Sequence, residues 1–216
     1  MPACNEEKET QRTEAFSDGV FAIAITLLAL ELKVPPDRVM AAGGGLKEAL
    51  LGQWPVYMAF LVSFVNLLII WVCHHNIFSL IRRTDGKFLY INGFLLLTVS
   101  VFPFPSTLVG EYIHTSNASL AAAIFAATIF FNCLSFNLLW NYLAANRDLL
   151  KKDISPAVIR EIRNNGFIGL PFYVAAVAAA FWSPYLSLAI CTGMAVFFAV
   201  KGTIQHLDRS SGAPAE

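Results

Sequence analysis

The chain has 216 residues, of which 56% are hydrophobic, 13% aromatic and only 14% charged. A soluble domain carries about 25% charged and about 45–50% apolar residues, so this composition excludes a disordered or collagen-like chain and places the protein in a membrane. Lys and Arg balance Asp and Glu at 15 each, and bulk charge therefore implies no nucleic acid or other polyanion as a partner.

The first residues, Asn5 to Glu9, are polar and acidic, unlike a secretory signal or a transit peptide. Residues 1–12 read as a tail. A span needs about 20 mostly apolar residues. Six segments qualify: 13–34, 54–80, 88–110, 118–144, 164–183 and 185–205. They lack the alternation of barrel strands, so the expected fold is an all-α integral membrane protein with one six-helix domain over 13–205. Between the first two spans, residues 35–53 hold Pro35-Pro36 and Gly43-Gly44-Gly45 and are expected to form one or two short extracellular helices. Residues 146–163 form a basic loop, where Ser155 as N-cap and Pro156 at the first helical position predict a short helix through Arg163. The last two spans form a hairpin at Ser183-Pro184, and residues 206–216 read as a disordered tail.

Basic residues set the orientation. With the N-terminus in the cytoplasm, only Lys33, Arg38 and Lys47 fall outside and the other twelve fall inside. Both termini are therefore expected to be cytoplasmic. Cys4, Cys73, Cys133 and Cys191 show no short metal-ligand spacing, and three of them sit in apolar runs. No disulfide, metal or cofactor is expected. Neither HExxH, GxSxG, GxGxxG nor a P-loop occurs, so the sequence does not read as an enzyme.

The first span is unusual. Only 12 residues separate Asp18 from Glu31, about 18 Å of helix. In a lipid-facing helix Asp18 would sit in hydrocarbon at a cost of at least about 2.5 kcal/mol, so this helix is expected to be central and wrapped by the others. At about 100° per residue, Ile23, Leu27 and Leu30 form one stripe with Thr26 at its edge. Ser17 and Asp18 lie on the opposite side. Their expected partners at the same depth are His74 or His75, Asn92 and the Trp71 indole, since a buried carboxylate needs donors or it protonates. Such a cluster either locks helices together or serves protons and gating, and the residues alone leave both open.

Arg12-x-x-x-Phe16-Ser17-Asp18, followed by Gly19-Val-Phe-Ala-Ile-Ala-Ile-Thr-Leu-Leu, resembles the signature of the transmembrane protein 175 family, the endosomal/lysosomal potassium channels and their prokaryotic relatives. The resemblance extends through Trp71-x-x-His74-His75, Asp85, Asn92 and Pro103-Phe104-Pro105. It implies a homotetramer in which four copies of the first helix line a central pore. Ile23, Leu27 and Leu30 would form the hydrophobic constriction or gate, and Thr26 the layer that prefers potassium. Arg12, Phe16, Ser17 and Asp18 would anchor the pore helix, supported by Trp71, His74, His75 and Asn92. A single six-span repeat matches the prokaryotic members, which implies a multi-pass protein of the plasma membrane passing K+ in a leak-like manner, its partners being its own copies, lipid and monovalent cations. The alternative is a proton-permeable channel or proton-coupled transporter working through Asp18, His74 and His75.

Overall fold

A chain with this little charge satisfies its backbone polar groups within each segment, and helices do so. The computed structural model describes residues 2–36, 45–152 and 154–210, and these are mostly helical. In chain order they are α1 (Pro2–Ala29), α2 (Leu46–Gly52), α3 (Trp54–Phe78), α4 (Gly86–Val101), α5 (Pro103–Tyr112), α6 (Ala118–Ala145), α7 (Pro156–Ala180) and α8 (Pro184–Ser210), with a 3-10 turn at Arg147–Leu149. Among the described residues, α3, the α4–α5 pair and α6 are long and apolar enough to cross a membrane by length and composition. The apolar runs Phe167–Ala180 in α7 and Pro184–Val200 in α8 are shorter. The protein is thus a multi-pass membrane protein with an all-helical fold.

Several boundaries differ from the sequence expectation. α1 is helical from Pro2, so most of the supposed tail belongs to the helix. Nothing in residues 3–12 breaks a helix, which explains the extension. After Ala29 the chain tightens, with Leu30, Glu31 and Leu32 donating to carbonyls three residues back. The third span is broken at Pro103 and Pro105, which lack N–H groups, but Phe102 stays in right-handed helical geometry. α7 starts at Pro156 but continues to Ala180 instead of stopping at Arg163, and no proline stands within two turns after Arg163 to end it there. Pro171 inside it withholds one hydrogen bond and is tolerated within the bundle. α8 continues to Ser210, past the expected start of the tail. Of the loop after α1, one short helix is seen at Leu46–Gly52; residues 37–44 and the last tail residues 211–216 lie outside the described residues.

At the end of the bundle that holds Arg82, two loops pair. Ile81 and Leu150 form an isolated antiparallel bridge, Arg82 N–H donates to the Leu149 carbonyl at 2.8 Å and Lys151 N–H to the Leu80 carbonyl at 3.0 Å. Ile81, Leu149 and Leu150 are buried, so these loops are pinned to the core. The core continues through Leu67, Phe88, Leu95, Phe102, Phe125 and Leu139, contributed by α3, α4 and α6 and by the α4–α5 junction.

Two glycines set how closely helices approach. A Cβ on Gly110 of α5 would lie 3.1 Å from the Val56 Cα of α3, so the two backbones nearly touch there. At Gly169 of α7, a Cβ would lie 2.9 Å from Cys133 Sγ and 3.1 Å from the Phe198 ring. Overpacking of this kind costs about 1–3 kcal/mol. Gly169→Ala is therefore expected to lower the melting temperature in detergent by several degrees, with partial recovery in Gly169→Ala/Cys133→Ala, where the sulfur is gone. Equal melting of wild type and Gly169→Ala would refute this packing.

Candidate functional site on the first helix

α1 has two sharply different faces. Thr10, Ser17, Phe21, Ala24 and Leu28 are buried against the bundle, Phe21 being 1% and Leu28 0% exposed. On the other side Ile23 is 61%, Leu27 41% and Leu30 71% exposed. Phe16, Gly19, Ala22 and Thr26 share that uncovered side. Within one chain, then, the aliphatic stripe is bare and its back is clamped.

The clamp is polar at its inner half. Ser17 donates to the Thr13 carbonyl at 2.8 Å and accepts from the Asn92 amide nitrogen of α4 at 3.0 Å. The Asn92 amide oxygen meets His74 Nε2 of α3 at 3.0 Å. Since the amide nitrogen is used on Ser17, the oxygen must accept, and the neutral His74 ring carries its proton on Nε2. All three groups are buried, and the His74 ring sits against Phe21 and Phe78 at centroid distances of 5.3 and 4.6 Å. His74 Nδ1 has no hydrogen-bond partner among the described residues.

Asp18 takes a different partner. Its Oδ1 accepts from the Trp71 indole at 2.9 Å. His75 turns away from it and pairs with Glu14, Nδ1 to Oε1 at 3.2 Å, while stacking on Trp71 at 6.0 Å. The single polar knot expected from the sequence is therefore three contacts: Ser17–Asn92–His74, Asp18–Trp71 and Glu14–His75. Glu14 was not among the expected residues. Its signal lies in the spacing, because Glu14 and Asp18 stand four apart on α1 and His75 and Trp71 stand four apart on the antiparallel α3. Of the remaining motif residues, Arg12 is exposed and Phe16 lies on the bare face.

Thr26 donates its hydroxyl proton to its own helix, to the Ala22 and Ile23 carbonyls, each at 2.9 Å. The side chain itself is exposed on the bare face. Beyond Leu30, at the end of α1 opposite Arg12, a cleft of about 180 Å³ lies among Glu31, Lys33, Gln53, Val56, Phe60 and Glu111, and Lys33 and Glu111 approach to 3.9 Å across it.

The family profile described as endosomal/lysosomal potassium channel TMEM175 matches residues 12–103. A potassium channel of Chamaesiphon minutus is 43% identical over 201 residues, covering 93% of this chain and 98% of that one. The chain belongs to the TMEM175 family. A Streptomyces collinus potassium channel is 39% identical, covering 96% of this chain and 99% of its own. The crystal structure of a lysosomal potassium-selective channel TMEM175 homolog from Chamaesiphon minutus aligns with a TM-score of 0.82 at 42% identity, over 90% of this chain and 98% of that one. The human endosomal/lysosomal proton channel TMEM175 is more distant, 29% identical over 62% of this chain and 28% of its own length. In this TMEM175 protein the matched segment runs from α1 to the start of α5, and so contains both the bare stripe and its polar partners Trp71, His74, His75 and Asn92.

A second lock holds the base of α4. Asp85 is its N-cap, accepting from Phe88 N–H at 2.8 Å and from the Tyr142 hydroxyl of α6 at 2.6 Å. Partial burial pushes the Asp85 carboxyl up, but the Tyr142 and backbone hydrogen bonds and the Lys87 charge outweigh it and hold it below its ordinary value. A depressed carboxyl adds stability above its unfolded-state value, and loses it as pH falls through the folded-state value. Asp85→Asn keeps an N-cap acceptor but no charge. Wild type is thus expected to be more stable than Asp85→Asn at neutral pH, with the gap closing once pH falls below about 4. Parallel thermal melts across that range check this, and a gap constant with pH would refute it.

Proposed function

We propose that the protein is a potassium-selective, leak-like cation channel in which α1 from four copies lines a central pore. The observation that carries this reading is the bare aliphatic face of α1, set opposite a face fully clamped to its own subunit. A single helix cannot enclose a conduction path, so the stripe needs copies of itself around an axis, and closed cyclic symmetry supplies them. In that arrangement Ile23, Leu27 and Leu30 form stacked rings whose apolar surface excludes hydrated ions by dewetting. Ala22 and Gly19 keep the neighbouring helices close. Thr26 presents hydroxyl oxygens whose protons already point into the helix, suited to meeting a partly dehydrated cation. K+ is cargo here, and no cofactor is assigned.

The full-length potassium-channel relatives support the reading, since 98% and 99% of their lengths are covered, whereas the animal relatives are covered over 26–29%. We assign this chain to the single-repeat prokaryotic type, in the plasma membrane, with six spans and both termini in the cytoplasm. That orientation keeps twelve of fifteen basic residues inside.

Proton passage is the second reading, favoured by the animal relatives, which are endosomal/lysosomal proton channels. The polar contacts argue against a relay through Asp18, His74 and His75. Asp18 faces an indole, which only donates, His74 faces an amide, and His75 goes to Glu14.

The deciding experiment is a reversal potential in planar bilayers with potassium on one side and sodium on the other, repeated under a pH gradient. A shift toward the potassium potential that ignores pH is expected; a shift following pH would favour the proton reading. Ile23→Ser is expected to wet the constriction and raise conductance about tenfold or more while weakening selectivity, equivalent to lowering a barrier by about 1.4 kcal/mol. Unchanged current would remove Ile23 from the gate. Thr26→Ala is expected to lower the potassium-to-sodium permeability ratio with assembly intact, and an unaltered ratio would remove Thr26 from the selectivity layer.

A further inference from the structure

The paired loops at the Arg82 end of the bundle gather charge of one sign. The hydrogen bonds joining Arg82 to Leu149 and Lys151 to Leu80 bring two segments distant in sequence side by side. Arg82, Lys87, Arg147, Lys151, Lys152 and Arg160 are exposed there. Two acids of these loops already have partners: Asp148 pairs with Arg83 at the surface, and Asp85 accepts from Tyr142 and Phe88. The local sequence Leu149-Leu150-Lys151-Lys152 shows how the surface is made, the two leucines being buried at 2–3% exposure and the two lysines exposed. A pinned apolar pair holds the cations outward.

The depth of this surface fits one kind of partner. α3 has 25 residues, about 37 Å of helix against a hydrocarbon core of about 30 Å, so its end emerges among lipid headgroups. Arg82 follows that end by four residues. Tyr90, exposed one turn into α4, sits where aromatic side chains mark the membrane boundary. Phosphates of the inner leaflet are therefore the anions at this depth, and clusters of Lys and Arg here attract anionic lipid.

We propose that the paired loops form a binding surface for the phosphate headgroups of anionic phospholipids, and that this surface communicates with the first helix. The link is short. Thr10 of α1 is buried against the same loop, its hydroxyl 3.5 Å from the Arg82 carbonyl. A headgroup drawing the 82–87 and 147–152 segments together bears on the lower end of α1, and the effect on current rests on the channel reading above.

The test uses the full chain in neutral detergent micelles, titrated with short-chain phosphatidylglycerol, short-chain phosphatidylcholine or inorganic phosphate, with melting temperature as the readout. Phosphatidylglycerol is expected to raise it saturably and phosphatidylcholine to leave it unchanged. Each juxtamembrane charge is worth about fivefold in affinity, so Arg147→Gln/Lys151→Gln/Lys152→Gln is expected to weaken the titration about a hundredfold. Lys151→Arg/Lys152→Arg is expected to retain it, as is Lys47→Gln on α2. An equal shift from phosphatidylcholine, or a triple variant that titrates like wild type, overturns the proposal. An equal shift from inorganic phosphate overturns the lipid assignment in favour of a free anion. Potassium flux is then measured in vesicles of phosphatidylcholine with and without phosphatidylglycerol. Intact lipid titration with no flux under any condition would defeat the channel reading and leave the lipid surface standing.

Discussion

Everything in this fold turns on how a helix carrying acids at its inner half is kept in a bundle. α1 holds Glu14 and Asp18 within two turns, and neither belongs in hydrocarbon. Each finds a donor on α3, and the neighbouring Ser17 reaches α4 through Asn92. Interhelical hydrogen bonds in membranes average only about 0.6 kcal/mol each, so their value is less in strength than in direction. They fix which way α1 is turned. Phe21, Ala24 and Leu28 then pack behind that choice, and the aliphatic stripe is left outward as its geometric complement.

The same logic explains why the bare stripe is apolar although nothing among the described residues covers it. An exposed face of Ile and Leu in a soluble protein would invite aggregation, whereas here the surroundings are lipid or further copies of the same helix. The lower end of the bundle is held by contacts of another kind, the loop bridge and the Asp85–Tyr142 lock, both lying where water and charge are available. Side-chain hydrogen bonds within the bundle thus orient α1, while hydrogen bonds at the end pin the loops and the base of α4.

Much of this was legible in the sequence because helical periodicity is rigid. Placing Ser17 and Ile23 on opposite sides needs only 100° per residue, and the burial of the two agrees with it. The indole of Trp71 as a donor to Asp18 followed from depth alone. The choice between His74 and His75 did not. Adjacent residues point about 100° apart, and which one faces inward depends on how α3 is rotated, a property set by the Phe21 and Phe78 rings around His74. Glu14 lies among the polar residues at the start of the span, and only its spacing of four from Asp18, matched by Trp71 and His75 on α3, points to its partner. Helix ends were read too tightly where hydropathy changes without any breaker, as at Arg12 and Arg163. The junction at Phe102 was missed for the opposite reason, since two prolines interrupt hydrogen bonding without bending the chain out of helical geometry.

The separation of α1 from its partners along the chain bears on how the protein is made. α1 leaves the ribosome before α3 and α4, and Trp71, His75 and Asn92 are synthesised 53 to 75 residues behind the α1 groups they meet. Until α3 and α4 arrive, the acids of α1 have no donors, and the helix has little claim to the lipid interior by itself. Its lasting insertion is therefore a joint event with α3, completed by α4, and a nascent chain halted before Trp71 would hold α1 at the water boundary.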